Sequence, residues 1–345
     1  MSKVLYVGVD VAKKSLAAAV WGASGGTPLE SVTNDAAGFE ALARQVEAVR
    51  QSEQAEQVHL IVEPTAGYEL RLIYDAHERG WQVSVVHPLT VRDWMKGLGQ
   101  RAKTDRIDAL LLARYGVERQ PRCWQPLSEV IIGLESLLSR KNDLEQLLRQ
   151  ERNRLEIAVI RPTTAAGVLD NIRTVIAALE AGQAEIEQAL EQLLKQHPEL
   201  EAQAERLDEL PGVGEKIVLP LLVKLQEWQS MTDGQGNGKG LTALVGLDPQ
   251  THESGSSVRK RATISRKGDP NLRRLLFMGA LGAIRGDNPL RQFYQRLVGR
   301  GKPKMVALIA CAHKILLWAW AIFRTGEQFD PKRHAKQGSV LPQAA

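Results

Sequence analysis

The sequence predicts an α/β domain at the N-terminus, then a long helical coiled-coil arm, then a mostly helical C-terminal domain. Three observations carry that reading. The first 120 residues alternate apolar strand-like runs with helical spacings, the middle repeats apolar residues at heptad-like intervals, and the last part strings apolar helices along basic segments. A length of 345 residues has room for two or three domains of about 100–200 residues each. The boundaries expected are 1–125, 126–206 and 207–330, with a disordered tail over 331–345.

In order along the chain, Val4-Leu-Tyr-Val-Gly-Val is a buried strand ending at Asp10, and Ser15–Trp21 returns as a second strand. Phe39, Leu42, Ala43 and Val46 recur at three and four within Ala36–Arg50, which is one helix face. Val58–Val62 is another buried strand and runs straight into Glu63 and Pro64. A helix over 69–79, a strand at Gln82–Val86 and a helix around Val91–Lys96 follow. Thr104 is a good N-cap for a helix reaching about Val117. Between Ser128 and Val159 a stripe of Ile131, Leu134, Leu138, Leu144, Leu148 and Leu155 is broken by Pro162, and Ile172, Val175, Leu179, Ile186, Leu190 and Leu193 resume it. Two helices folded antiparallel, or paired with another chain, satisfy such a stripe. Beyond Leu207, Leu210-Pro-Gly-Val-Gly is a turn before the apolar helix Ile217–Leu225, and Thr232 to Gly240 is a flexible loop. Helices are expected again over Leu272–Ile284 and Lys304–Phe323.

With 43% hydrophobic and 25% charged residues, the composition is that of a globular protein and excludes a disordered, collagen-like or disulfide-stapled chain. No apolar run reaches the ~18 residues of a membrane span, and the richest, Ile315–Phe323 after a basic stretch, is far too short. The N-terminus reads as a strand rather than a signal peptide, so a cytoplasmic protein with no membrane partner is expected. Cys123 and Cys311 lack any metal-site spacing. The net charge of +5 is unevenly spread: residues 1–120 carry 14 Lys and Arg against 15 Asp and Glu, residues 121–253 carry 13 against 21, and residues 254–345 carry 18 against 4. A last quarter so basic is either a solubilising surface or the footprint of a nucleic-acid partner, and its one-sidedness favours the second.

Four carboxylates are placed where chemistry would need them. Asp10 and Glu63 each end a buried strand, a costly position for a carboxylate unless it is paired or binds a cation. Asp105 and Asp108 are three apart, on one face of a helix near its start. Drawn together, these four would cage hard divalent cations, and two Mg²⁺ ions roughly 4 Å apart would polarise a phosphodiester. Taken singly, each is as well read as a surface or capping acid.

The set resembles the RNase H-like fold of the Holliday-junction resolvase RuvC and, more narrowly, the DEDD transposases of the insertion sequence 110 family. Gly8-Val-Asp-Val-Ala-Lys-Lys-Ser, Val62-Glu-Pro-Thr-Ala-Gly-Tyr and Lys103-Thr-Asp-Arg-Ile-Asp-Ala carry the resemblance, followed in the family's order by a coiled arm, a Leu-Pro-Gly-Val-Gly turn and a Ser-Gly/basic segment. It covers about residues 4–325. It implies a recombinase with a RuvC-like catalytic domain, Mg²⁺, donor and target DNA, and a homo-oligomer. It also implies a guide RNA from the element's noncoding end and a nucleophilic serine in the C-terminal domain. Ser254-Gly255 matches that serine's context, with Ser256 and Ser257 as close competitors. Without the resemblance, the segment reads more simply as a flexible phosphate-contacting loop.

Arg259, Lys260, Arg261, Arg266, Lys267, Arg273 and Arg274 flank the serine and are the expected nucleic-acid contacts, with Arg101 and Lys103 guiding a strand toward the acids. Lys267-Gly-Asp-Pro-Asn begins a helix whose N–H groups would aim at a phosphate. The Leu210-Pro-Gly-Val-Gly turn is either a DNA-binding hairpin or a plain helix connection. Trp94, Trp124, Trp318 and Trp320 are expected in the core, and His252 and His313 have no assigned role. The glycines of 234–240 lack a P-loop's context, which excludes nucleotide binding there. A junction-resolving nuclease with an idle serine, an actin-like small-molecule kinase and a non-catalytic nucleic-acid binder are the competing readings. The kinase would need a second phosphate loop that the chain lacks.

Overall fold

The computed structural model describes residues 3–98, 104–232, 234–254, 258–265 and 267–332. Arg101, Lys103, Gly255, Ser256, Ser257 and Arg266, and the expected tail beyond Lys332, lie outside the described residues. Contacts divide the chain into two units, Met1–Pro126 and Leu127–Ala345.

In the first unit, β1 (Val4–Val11) and β2 (Ser15–Gly22) form an antiparallel hairpin, and the short β3 (Gly25–Pro28) and β4 (Val32–Thr33) pair with β2. α1 (Ala36–Glu53) leads to β5 (Gln57–Val62), parallel to β1. α2 (Leu70–Glu78) leads to β6 (Gln82–Val85), parallel to β5. α3 (Pro88–Gly97) and α4 (Asp105–Arg119) follow. The sheet order is β3-β2-β1-β5-β6, with β4 beside β2. β3 and β4 were not anticipated: Gly25-Gly-Thr-Pro and a two-residue Val-Thr carry too little apolar signal to read as strands.

The strand period of two sorts the sheet's faces. Leu5, Val7 and Val9 of β1 and Val58, Leu60 and Val62 of β5 face Phe39, Leu42 and Val46 of α1 and Leu72, Ile73 and Ala76 of α2. On the other face, Ile61 joins Val91, Leu112 and Tyr115 from α3 and α4. Two glycines set how closely α4 lies there. A Cβ at Gly8 would stand 2.1 Å from the carbonyl oxygen of Ala109 and 2.3 Å from the nitrogen of Ala113, and a Cβ at Gly116 would stand 2.6 Å from Tyr6 Cδ1.

His59, 4% exposed, shares this face. Its Nε2 lies 2.7 Å from Ser84 Oγ, which lies 2.7 Å from the carbonyl oxygen of Arg122 and 3.1 Å from that of Pro121. A hydroxyl has one proton, so the network is satisfied when His59 Nε2–H donates to Ser84 and Ser84 donates to a carbonyl. The chain after α4 is thereby tied to β6. Burial pulls the His59 pKa down to about 4.

The second unit opens with α5 (Glu129–Ile160) and α6 (Ala166–Gln196), an antiparallel pair bridged by Lys141–Glu187 at 2.9 Å and Arg152–Glu180 at 2.8 Å. α7 (Pro198–Asp208), α8 (Glu215–Met231), α9 (Gly238–Val245), the antiparallel β7 (Pro249–Ser254) and β8 (Val258–Ile264), α10 (Pro270–Ala283), α11 (Pro289–Gly299) and α12 (Lys304–Thr325) complete it. Leu221 and Leu225 of α8, Leu276 of α10 and Ile315 of α12 centre its core, and Ile131, Leu134 and Leu190 of the arm join them. The basic Ser/Gly segment expected around the serine is a strand hairpin, and α7 and α11 were unforeseen. α12 corrects the expectation about apolar length: its 22 residues are long and apolar enough to cross a membrane. Here they fill the core, with Ala307, Cys311, Ala312, Ile315, Leu316 and Ala319 all buried.

Trp318 and Trp320 are buried as expected, and Trp94 packs edge-on against Tyr115. The glycines of the 234–240 loop have a packing reason, since a Cβ at Gly236 or Gly240 would strike the Trp228 indole at 2.4 Å. Gly212, at φ +90° in the Leu-Pro-Gly-Val-Gly turn, meets the carbonyl of Gly279 on α10, so the close approach it permits is to the protein itself.

Gly8→Ala is expected to push α4 off β1 and cost about 3 kcal/mol or more, lowering the melting temperature of the first unit by roughly 10 °C in calorimetry. His59 is neutral in the fold and has an ordinary pKa of 6.5 when released. Its contribution is therefore full above pH 6.5 and is lost as pH falls toward 4. Denaturant midpoints measured across that window should fall in the parent protein and fall less steeply in His59→Gln.

Candidate functional site

The parallel register pairs Val9 with Val62. One residue further along, Asp10 and Glu63 stand side by side on strands that run about 4.8 Å apart. Alternation from Gly8 and Ile61 puts both on the sheet face that α4 covers. α4 itself lies with Gly116 over Tyr6 and with Ala109 and Ala113 over Gly8. Its first turn, with Asp105 and Asp108, therefore reaches the sheet edge at which Asp10 and Glu63 sit. Asp10, Glu63 and Asp108 are half-buried and Asp105 is exposed. Thr104 caps the helix, its Oγ1 accepting from the Ile107 N–H at 3.3 Å, and the helix dipole favours both acids at this end.

The loops behind the two strands are tied to each other. Asn34 Nδ2 donates at 3.0 Å to the carbonyl of Ala12, two residues past Asp10, and at 3.0 Å to that of Tyr68 in the loop after Glu63. That loop turns through Ala66 at φ +53° and Gly67 at φ +88°. Inside it the Thr65 N–H donates to Glu69 Oε2 at 2.8 Å, and Thr65 Oγ1 donates to the Glu63 carbonyl at 3.2 Å. Glu69 is buried. Sequence reasoning missed Asn34 and Glu69. Their signal was local, an Asn next to the N-cap Asp35 and a Glu before a helix, and neither position says which distant carbonyl or amide it will reach.

Carboxylate oxygens are the hard donors that Mg²⁺ prefers, so the donor set fits such an ion. Among the described residues, however, no three His, Cys, Asp or Glu side chains gather within reach of one ion. The fold brings the four acids to one edge and one face of the sheet without closing them into a cage.

In the second unit, β7 ends at Ser254 and β8 begins at Val258, and these two residues pair. The register sets Glu253 opposite Arg259 and His252 opposite Lys260, then shifts by one residue between Gln250 and His252. Arg261 lies on β8 at the register shift.

The start of α10 is engaged within the protein. Asp269 caps the helix by accepting the Asn271 and Leu272 N–H groups, each at 2.9 Å, so these donors are not aimed outward as the sequence suggested. Asp269 also lies 3.7 Å from Lys224 Nζ, which pairs with Glu227 at 2.5 Å. Arg273 Nη1 donates to the Val245 carbonyl and Arg274 Nη2 to Asn271 Oδ1, both at 2.9 Å. Lys267 is exposed. His313 is structural, with Nε2 at 2.9 Å from Thr242 Oγ1, and burial lowers its pKa.

Comparison with known proteins matches residues 7–160 to a family model described as a transposase, of the DEDD IS110 type, and residues 204–295 to one described as "Transposase IS116/IS110/IS902 family". The pilin gene-inverting protein of Moraxella bovis is 33% identical over 335 residues, covering 97% of this chain and all of the relative. That of Moraxella lacunata is 33% identical over 340 residues with the same coverage. The "Insertion element IS110 uncharacterized 43.6 kDa protein" of Streptomyces coelicolor is 27% identical over 184 residues, 52% of this chain and 43% of the relative.

Asn34→Ala releases both loops while removing two hydrogen bonds from a half-buried site. Calorimetric titration with Mg²⁺ should show affinity weakened by about tenfold or more, with a melting temperature only a few degrees lower.

Proposed function

The chain belongs to the IS110 family of transposases and is a DNA-recombining enzyme, and from that premise we propose an RNA-guided, site-specific recombinase that cuts and rejoins DNA strands with a four-carboxylate metal site and a serine nucleophile. The observation that carries the reading is the β1–β5 register, which sets Asp10 beside Glu63 at the edge that the first turn of α4 reaches. A sheet of antiparallel strands continued by two parallel ones, in the order β3-β2-β1-β5-β6, supports an RNase H-like domain.

Asp10, Glu63, Asp105 and Asp108 would hold Mg²⁺, which when bound supplies Lewis-acid polarisation of a phosphodiester. Ser254 supplies the nucleophile: its Oγ forms a bond to phosphorus, one sugar oxygen leaves, and the serine proton ends on that oxygen. The reverse attack by a sugar hydroxyl restores a phosphodiester and frees the serine, so no bond energy is lost to water. Lys260, paired with His252 in the β7–β8 register, suits the phosphate's charge. Exposed Lys267 suits a backbone contact. The division into a RuvC-like domain over 1–125, an arm over 126–206 and a serine domain over 207–330 is part of the same proposal. Guidance by RNA rests on the family resemblance and fits a protein that reads backbone and shape while base pairing reads sequence. The arm exposes Ile157, Val159 and Ile160 near its far end, which suits a homo-oligomer.

The test incubates purified protein and its co-purifying RNA with Mg²⁺ and end-labelled DNA spanning an element junction, then denatures the reaction. Labelled DNA should migrate with the parent protein and with neither Ser254→Ala nor Asp10→Ala. Cleaved DNA without an adduct in the parent would instead mean hydrolysis at the carboxylates, as in a junction-resolving nuclease.

A further inference from the structure

The twenty residues from Arg285 to Lys304 carry six cations, Arg285, Arg291, Arg296, Arg300, Lys302 and Lys304, against one acid, Asp287. They span the turn before α11, α11 itself, and the turn into α12. Arg291 is half-buried and the other five are exposed. Among the described residues, none of the six forms an ion pair, whereas Arg50, Arg79, Arg114, Lys141, Arg152, Arg154 and Arg173 elsewhere have found carboxylates.

α11 is built to present this charge. Leu290 and Leu297 are its buried edge, and Cys311 Sγ on α12 contacts the Leu290 carbonyl. Away from that edge, Gln292, Gln295 and Gly299 recur at three and four as an exposed ridge, with Arg291 and Arg296 to either side. No acid lies on the helix. A Cβ at Gly299 or Gly301 would meet nothing within 4 Å, so the end of the ridge is open. Phe293 steadies the flank, with the Arg296 guanidinium 5.5 Å and the Lys314 ammonium 4.7 Å from its ring. Burial and the charge of Arg296 both lower the pKa of Lys314, as expected where positive potential is not offset.

Helix-dipole compensation explains only part of this pattern. Arg300 and Lys302 close α11 and suit its negative end, but Arg291 lies in the first turn of α11 and Lys304 in the first turn of α12, where a cation is disfavoured. Folding thus gains nothing from those two charges, and a polyanion would.

We infer that the α11 elbow is a nucleic-acid-binding surface, separate from the serine hairpin, that grips the phosphate backbone of a duplex through Arg291, Arg296, Arg300, Lys302 and Lys304. The inference rests on the reading of the chain as a nucleic-acid recombinase, but on neither the serine nor the metal. Backbone contacts of this kind carry no sequence information and hold the duplex in register.

The test measures binding of the full-length protein, in EDTA so that no strand chemistry occurs, to labelled duplexes of about 30 base pairs of arbitrary sequence. One duplex is DNA and one is RNA, and salt is varied around the physiological range. Arg296→Gln/Arg300→Gln/Lys302→Gln should bind about tenfold more weakly, with the slope of log affinity against log salt reduced by about 2 to 3. A charge-preserving Arg296→Lys/Arg300→Lys/Lys302→Arg variant should keep the parent slope. An effect on one duplex alone supports the surface and assigns its ligand. Unchanged affinity and slope on both duplexes would overturn it. If the triple variant melts early, Arg300→Gln alone is read, with a slope loss of about 0.9 expected. Loss of the covalent-adduct result would sink the serine mechanism and leave this binding result standing, so the two failures are distinguishable.

Discussion

The closeness of α4 to β1 is the constraint on which the carboxylate edge depends. Side chains normally hold a helix about 10 Å from a sheet. Here Gly8 and Gly116 remove the Cβ atoms that would enforce that distance, so at Gly8 the strand meets the backbone of α4 and at Gly116 the helix meets the Tyr6 and Ile61 side chains. The consequence is positional: a helix pinned at two points along its length has its first turn fixed too. The glycine of Gly8-Val-Asp thus serves the aspartate two residues later through a helix a hundred residues away. The His59–Ser84–Arg122 network holds the other end of that helix's connection.

Tightness at the edge is graded. The strands fix Asp10 and Glu63 through a hydrogen-bonded register, and Asn34 ties the loops behind them. The helical acids stand in the first turn of α4 behind the Thr104 cap, and Asp105 is exposed. Four carboxylates brought closer would repel one another without a cation among them. An edge that gathers acids without closing on them agrees with that electrostatic cost.

In the second unit, several groups that could face a phosphate are turned inward. Gly212 and Gly279 pack backbone on backbone, Gly268 approaches the Leu244 carbonyl at 2.2 Å for an added Cβ, and Asp269 occupies the first N–H groups of α10. Glycine-rich and helix-start motifs have two physical uses, approach to a ligand and approach to the protein's own backbone, and the local sequence is the same for both. What remains is charge: the β7–β8 segment and the α11 elbow are basic in sequence, and among the described residues the elbow's cations form no ion pair.

The major elements were legible in the sequence because their signals are local. Apolar runs of four to six residues mark β1, β5 and β6, the Thr104 cap marks α4, and the heptad stripe marks α5 and α6. β3, β4, α7 and α11 were not, because short or polar elements are made by their neighbours: β3 and β4 exist by pairing with β2, and α11 by setting Leu290 and Leu297 on α12. Likewise the four acids were named from residue type and spacing alone, whereas Asn34, Glu69 and the unpaired elbow cations emerged only from the folded chain. The sequence by itself determined which residues can carry charge, donate, accept or pack, and with what period. Only the tertiary structure decided which of those capacities are spent inside the protein and which are left for a partner, because that depends on distances between residues far apart in the chain, which no local pattern encodes.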